Sequence, residues 1–241
     1  MNFLFSVAHA EEAAVEAAVE AAPSWFETAF GDFSDLTVWG WLLLAVLLVG
    51  GVVLYRVVKG ASAENVWTTK KLALGAVCIA LSSVLSLIKV VELPQGGSVT
   101  AASMLPIILF AYAYGAGPGL TLGAVYGILQ FILKPYFYSL PQFLLDYPVA
   151  FGAIGLAGFF SKSKNTYLGL TLGSIVASLG RLIAAVASGV LFFAEYAPEG
   201  MSPIVYSLGY NASYMVPECI ICVVLAMAIG PRLMKELRKI K

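Results

Sequence analysis

LGLTLGSIVASLGRLIAAVASGVLFF (residues 168–193) contains one charged side chain, Arg181. A membrane-spanning helix needs about 20 mostly apolar residues, so this stretch predicts a span. The whole chain has the same character. Of its 241 residues, 60% are hydrophobic and 12% charged, against roughly 25% charged in soluble domains. A soluble fold could not hide so much apolar surface. A disordered chain would be more charged and less apolar. The remaining class is an all-α integral membrane protein.

Outward from that stretch, further apolar runs predict spans at Leu72–Val90, Ala101–Tyr114, Leu120–Leu133, Phe143–Phe160 and Ser207–Ile229. With Leu168–Phe193 they make a group of six, and residues 71–241 form the main membrane domain. Ahead of it come an acidic, alanine-rich arm (1–37), an additional span (38–59) and a linker (60–70). Met1–Ala10 lacks the basic start and long apolar run of a signal peptide. Lys and Arg mark the cytoplasmic side of a membrane protein. Arg56, Lys59, Lys70 and Lys71 fall after the first span, Lys162 and Lys164 after the fifth, and Arg232, Lys235, Arg238, Lys239 and Lys241 after the seventh. Seven spans put all three groups on one side. The N-terminus is then outside and the C-terminus cytoplasmic.

This orientation gathers Tyr136, Tyr138, Gln142, Asp146, Tyr147, Glu195, Tyr196, Tyr206, Tyr210 and Asn211 at the outer end of the six-helix group. Ionisable groups inside spans cost roughly 2.5–3.5 kcal/mol each on insertion scales and usually serve function. Three qualify: Asp146, Arg181 and Glu218. Arg181 and Glu218 sit at similar depth on adjacent spans, which predicts a structural ion pair. Lys89, at a span end, can snorkel toward Glu92. Asp146 then has no internal cation. It is either a site for a cationic ligand among aromatic rings, or a hydrated or helix-capping carboxylate. Tyr206 and Asn211 lie on one span, where Asn needs another helix or a ligand as partner. Gly119, Gly123 and Gly127 predict close helix packing, and Ala76-x-x-x-Ala80 is a weaker small-residue face.

Other chemistry is poorly supported. Zero net charge, from 14 basic and 14 acidic residues, gives no basis for nucleic-acid binding. Neither P-loop, HExxH nor GxSxG is present. The single histidine, His9, lies in the acidic arm. Cys78, Cys219 and Cys222 lie in apolar runs and read as packing residues. No catalytic residue, metal ligand or cofactor site is predicted.

From Lys70 onward the chain resembles the thiamine-specific substrate-binding (S) components of energy-coupling factor transporters. The resemblance rests on four segments in order: LPQGGSVTAASMLP (93–106), LPQFLLDYPVAFGAIGLAG (140–158), SGVLFFAEYAPEG (188–200) and YSLGYNASYMVPE (206–218). It implies six membrane helices with both ends inside and a thiamine pocket near the outer surface. It places Asp146 opposite the thiazolium cation, with Tyr147 and Gln142 beside it and Tyr136 on the preceding loop. It assigns Tyr206 and Asn211 to the aminopyrimidine, Gly189 to a backbone contact and Phe193 to ring stacking. Gly96, Gly97 and Ser98 would line the entrance. Ala76 and Ala80 would dock on a coupling membrane subunit, which two cytoplasmic ATPases drive. One position departs from the family: Ala185 stands where a histidine is usual. That departure keeps a related pyrimidine or another cationic aromatic vitamin open as ligand. A membrane scaffold, with the rings as an interfacial belt only, is the third reading.

Overall fold

The structure, a computed structural model, describes residues 67–237 and 239. The predicted arm, the additional span, most of the linker, and the basic residues Arg56, Lys59, Arg238 and Lys241 lie outside the described residues. In chain order the elements are α1 (Thr69–Leu87), β1 (Lys89–Glu92), β2 (Ser98–Thr100), α2 (Leu105–Tyr114), α3 (Ala116–Leu133), α4 (Leu140–Phe160), α5 (Thr166–Phe192) and α6 (Pro203–Leu237). All helices except α2 are long and apolar enough to cross a membrane. The six predicted spans of the main domain correspond to these six helices.

The boundaries that moved have local causes. The span expected to reach Val90 stops at Leu87. Val90, Val91, Val99 and Thr100 favour extended backbone, and β1 pairs antiparallel with β2 in the register Val91↔Val99 and Glu92↔Ser98. The connecting turn needs positive φ, met by Gln95 (66°) and Gly96 (92°). The span expected to start at Ala101 starts at Leu105, because Ala102 turns the chain at φ 63°. Ser103 N–H is also drawn back to Thr100 Oγ1 at 3.2 Å. What remains, α2, has 10 residues. At 1.5 Å per residue that is about 15 Å, half the membrane core. It does not span alone. Leu105–Ala113 are all buried, and the longer helices enclose them.

Asn165 caps α5 by accepting from Leu168 N–H at 3.2 Å, and Thr68 caps α1 through Lys71 N–H at 3.3 Å. Within α4, Leu145–Val149 widens into a π-helical turn around Pro148. Proline has no N–H to donate, and its ring crowds the carbonyl four residues back. The wider turn relieves both, and such turns concentrate at functional sites. Asp146 and Tyr147 stand on it.

The glycine stripe packs as predicted. A Cβ at Gly119 would stand 3.0 Å from Gly155 Cα, one at Gly123 3.1 Å from Gly152 Cα, and one at Gly127 2.7 Å from the Tyr147 carbonyl carbon. Thus α3 lies backbone to backbone on α4, which fixes the height of the π turn. By contrast, α1 turns most of its surface outward: Leu72, Val77, Val84 and Leu87 are exposed, as are Ala76 and Ala80. In a membrane these side chains meet lipid tails or another membrane protein.

Candidate functional site

A cavity of about 840 Å³ opens at the hairpin end of the bundle. Its wall is drawn from the hairpin, the α3–α4 connection, α4, α5 and α6. It brings together every residue expected to bind substrate: Tyr136, Gln142, Asp146, Tyr147, Gly189, Phe193, Tyr206 and Asn211. Gly96, Gly97 and Ser98 line it as well, and so do Arg181, Ala185 and Glu218. The rings therefore surround one cavity rather than forming a belt around the bundle.

The carboxylate is oriented by its own helix. Gln142, one turn before Asp146, is almost fully buried. Its Oε1 accepts the Tyr138 N–H at 3.1 Å. That bond fixes which end of the amide faces where. Its Nε2 then donates to Asp146 Oδ2 at 2.6 Å. Among the described residues Asp146 joins no ion pair, so its negative charge faces the cavity. Aromatic side chains stand around it. Phe193 has the rings of Tyr136, Tyr138 and Tyr196 at 5.9, 5.8 and 6.1 Å. Tyr147 Oη donates to the Lys134 carbonyl at 3.3 Å, which ties the α3–α4 connection to the π turn.

On α6, Ser207, Asn211, Tyr214 and Glu218 follow at three- and four-residue spacing and form one buried polar stripe. Asn211 satisfies itself within that helix. Its Nδ2 donates to the Ser207 carbonyl at 2.9 Å, and its Oδ1 accepts from Tyr214 Oη at 2.6 Å. Tyr206 and Tyr210 reach the hairpin turn instead. Gln95 Nε2 donates to Tyr206 Oη at 3.1 Å. Tyr210 Oη accepts the Gly97 N–H at 2.9 Å and donates to the Pro94 carbonyl at 2.5 Å. Tyr206 and Asn211 thus share the cavity but serve different parts of its wall.

The ion pair expected between Arg181 and Glu218 is not made. Glu218 Oε1 accepts from Thr100 Oγ1 at 2.6 Å and from Ser103 Oγ at 3.0 Å. Two hydroxyls at the foot of β2 hold that oxygen, where a cation was expected. Arg181 lies over the Phe151 ring at 4.3 Å, a cation–π contact. Matched depth on adjacent helices was the warrant for the pair, and depth does not fix the direction in which a side chain leaves its helix.

At the rim, Glu92 forms ion pairs with Lys89, as the snorkelling argument predicts, and with Lys134 at 3.3 Å. Lys89 holds the Glu92 carboxyl below its usual range, and Lys134 adds to the effect. All three are solvated, so the pairs contribute little to stability. They do link the hairpin to the α3–α4 connection. Sequence reasoning missed Thr100, Ser103, Ser188, Ser207 and Tyr214 as part of this wall. The four-residue spacing of Tyr206, Tyr210 and Tyr214 was the available signal for the last.

A family model described as a thiamine transporter protein matches residues 72–237. The thiamine transporter ThiT of Bacillus subtilis strain 168 is 41% identical over 159 residues, which cover 60% of this chain and 82% of that protein. The ThiT of Lacticaseibacillus paracasei is 29% identical over 147 residues, covering 54% of this chain and 73% of its own length. Among solved structures, ThiT from Listeria monocytogenes superposes with a TM-score of 0.62 over 68% of this chain and 96% of that one. At 23% identity, that likeness concerns the fold.

Proposed function

The chain belongs to the thiamine transporter family, and from that membership we propose that it captures thiamine as the substrate-binding component of an energy-coupling factor importer. The observation that carries the reading is Asp146: a carboxylate without a cation, held by Gln142 in a cavity walled by aromatic rings. Thiamine brings the complement, a flat cationic thiazolium joined to an aminopyrimidine. In water such a cation gains little from one carboxylate. Inside a protein wall the same pair is stronger, because the effective dielectric is lower. Ring faces add cation–π attraction, about 0.5–2 kcal/mol each depending on desolvation.

The cavity opens to the outside of the cell in this reading, which follows from the clustering of Lys and Arg at the opposite end. The rings of Tyr136 and Phe193 flank the vitamin, and Tyr206 and Asn211 face its pyrimidine. The Gly96–Ser98 turn covers it from the hairpin side. The chain itself only binds. Energy for release inward comes from two cytoplasmic ATPase subunits through a coupling membrane subunit that meets α1 at Ala76 and Ala80.

Calorimetry of the purified full-length protein with thiamine tests the reading. Binding at about micromolar concentration or tighter is expected. No heat with thiamine, but binding of a related pyrimidine, would move the assignment to the second ligand class that Ala185 keeps open. That residue lines the cavity with a methyl group and leaves space there.

The docking face gives a separate prediction. Ala76 and Ala80 are exposed on α1 and do not line the cavity. The double variant Ala76→Leu, Ala80→Leu should bind thiamine as the natural protein does, yet lose most uptake of labelled thiamine in cells. Small residues let helix backbones approach closely, and two leucines hold them apart. Undiminished uptake would remove this face from the coupling contact.

A further inference from the structure

Three side chains of α6 and one carbonyl of α5 form a chain of hydrogen bonds that runs in one direction. Ser207 Oγ donates to the Val186 carbonyl on α5 at 3.1 Å. With its only hydrogen spent, that oxygen can otherwise only accept. Asn211 Nδ2 donates to it at 3.3 Å, and to the Ser207 backbone carbonyl at 2.9 Å. At the other end of the amide, Asn211 Oδ1 accepts from Tyr214 Oη at 2.6 Å. Ser207, Asn211 and Tyr214 are all buried, and all line the cavity. Gly189 on α5 makes room for the first bond, because an added Cβ would collide with Ser207 Oγ.

The direction of the chain fixes the amide. A carbonyl oxygen accepts and never donates, so the amide end beside Ser207 must be the nitrogen. A flip would set Asn211 Oδ1 against the Ser207 carbonyl, oxygen against oxygen. Both amide hydrogens are therefore spent on Ser207. One lone pair of Oδ1 takes the Tyr214 hydrogen, and its second lone pair is left. Asn211 thus offers a ligand an acceptor and no donor. An asparagine free to turn would suit an amino or an oxo substituent equally; this one suits the amino group alone.

We propose that Asn211 Oδ1 accepts from the amino group of the vitamin's pyrimidine, and that Ser207 and Tyr214 are positioning residues that make the site select an amino over an oxo substituent. The inference rests on the thiamine reading above and deepens it. An oxo group in the same place would bring lone pairs against lone pairs. A site that matches a substrate's N–H groups rejects analogues lacking them more strongly than an apolar pocket rejects a small change in size.

Calorimetry of the full-length protein with thiamine and with oxythiamine, whose pyrimidine carries an oxo group in place of the amino group, tests it. The natural protein should prefer thiamine at least about tenfold. Ser207→Ala frees one amide hydrogen to face the ligand. Tyr214→Phe keeps the ring but releases the amide oxygen. Each should lower the preference at least about threefold, the scale of one net hydrogen bond. The ratio separates positioning from structure, because a general loss of packing weakens both ligands alike. Natural protein that does not bind thiamine overturns this proposal together with the function it rests on. Natural protein that binds thiamine, but holds oxythiamine as tightly, overturns this proposal alone, and that test needs no variant to fold. An unchanged preference in either variant also overturns it.

Discussion

Asp146→Asn is expected to bind thiamine at least about a hundredfold more weakly than the natural protein, with its fold unchanged. Asparagine has nearly the shape of aspartate, and its side-chain oxygen can still accept from Gln142 Nε2. What disappears is the charge. Removing one partner of a desolvated charge pair typically costs 2–5 kcal/mol or more, about 30-fold to several-thousand-fold in affinity. The two other carboxylates that line the cavity are engaged by protein groups. Glu218 Oε1 accepts from the Thr100 and Ser103 hydroxyls, and Glu92 is paired with two lysines at the rim. Calorimetry measures the loss, and an unchanged melting temperature of the empty protein confirms the fold. Equal affinity in the variant would show that the cation sits elsewhere.

The features legible in the sequence were those set by one-dimensional patterns. Apolar length located the helices. Glycines at four-residue spacing announced the α3–α4 contact, because that spacing puts a groove along one helix face. Of the residues gathered by topology at one end, all but Tyr138 and Glu195 line one cavity, Asp146 among them. What failed was the assignment of partners. Glu218 takes hydroxyls 118 and 115 residues away, and nothing local in SVTAAS marks Thr100 and Ser103 as acid-binding. The hairpin was read as a turn alone, since its strands are too short to show alternation. The π turn arises from Pro148 within an otherwise helical run. A sequence shows that proline disturbs a helix but not whether the helix ends, kinks or widens.

Thiamine should escape from Gly97→Val at least about tenfold faster than from the natural protein, with a smaller effect in Gly97→Ala. Gly97 has an ordinary extended backbone, φ −61° and ψ 140°, so a side chain causes no strain in the chain itself. The obstacle is space. A Cβ there would stand 2.8 Å from Tyr210 Oη and 2.8 Å from Tyr214 Cδ1. Glycine is needed at this position because the turn rests directly on two α6 tyrosines. Gly96 is the opposite case: its φ of 92° requires glycine, yet nothing lies within 4 Å of its added Cβ. Valine at 97 must lift the turn, and lifting it breaks the Tyr210 bonds to Gly97 N–H and the Pro94 carbonyl. The turn then no longer seals its side of the cavity. Tyr210→Phe offers an independent route to the same end, because it keeps the ring and deletes both bonds. Stopped-flow displacement of bound thiamine measures the escape rate. If both variants release it as slowly as the natural protein, the hairpin is not what retains the vitamin, and the ring wall around Asp146 must do so alone.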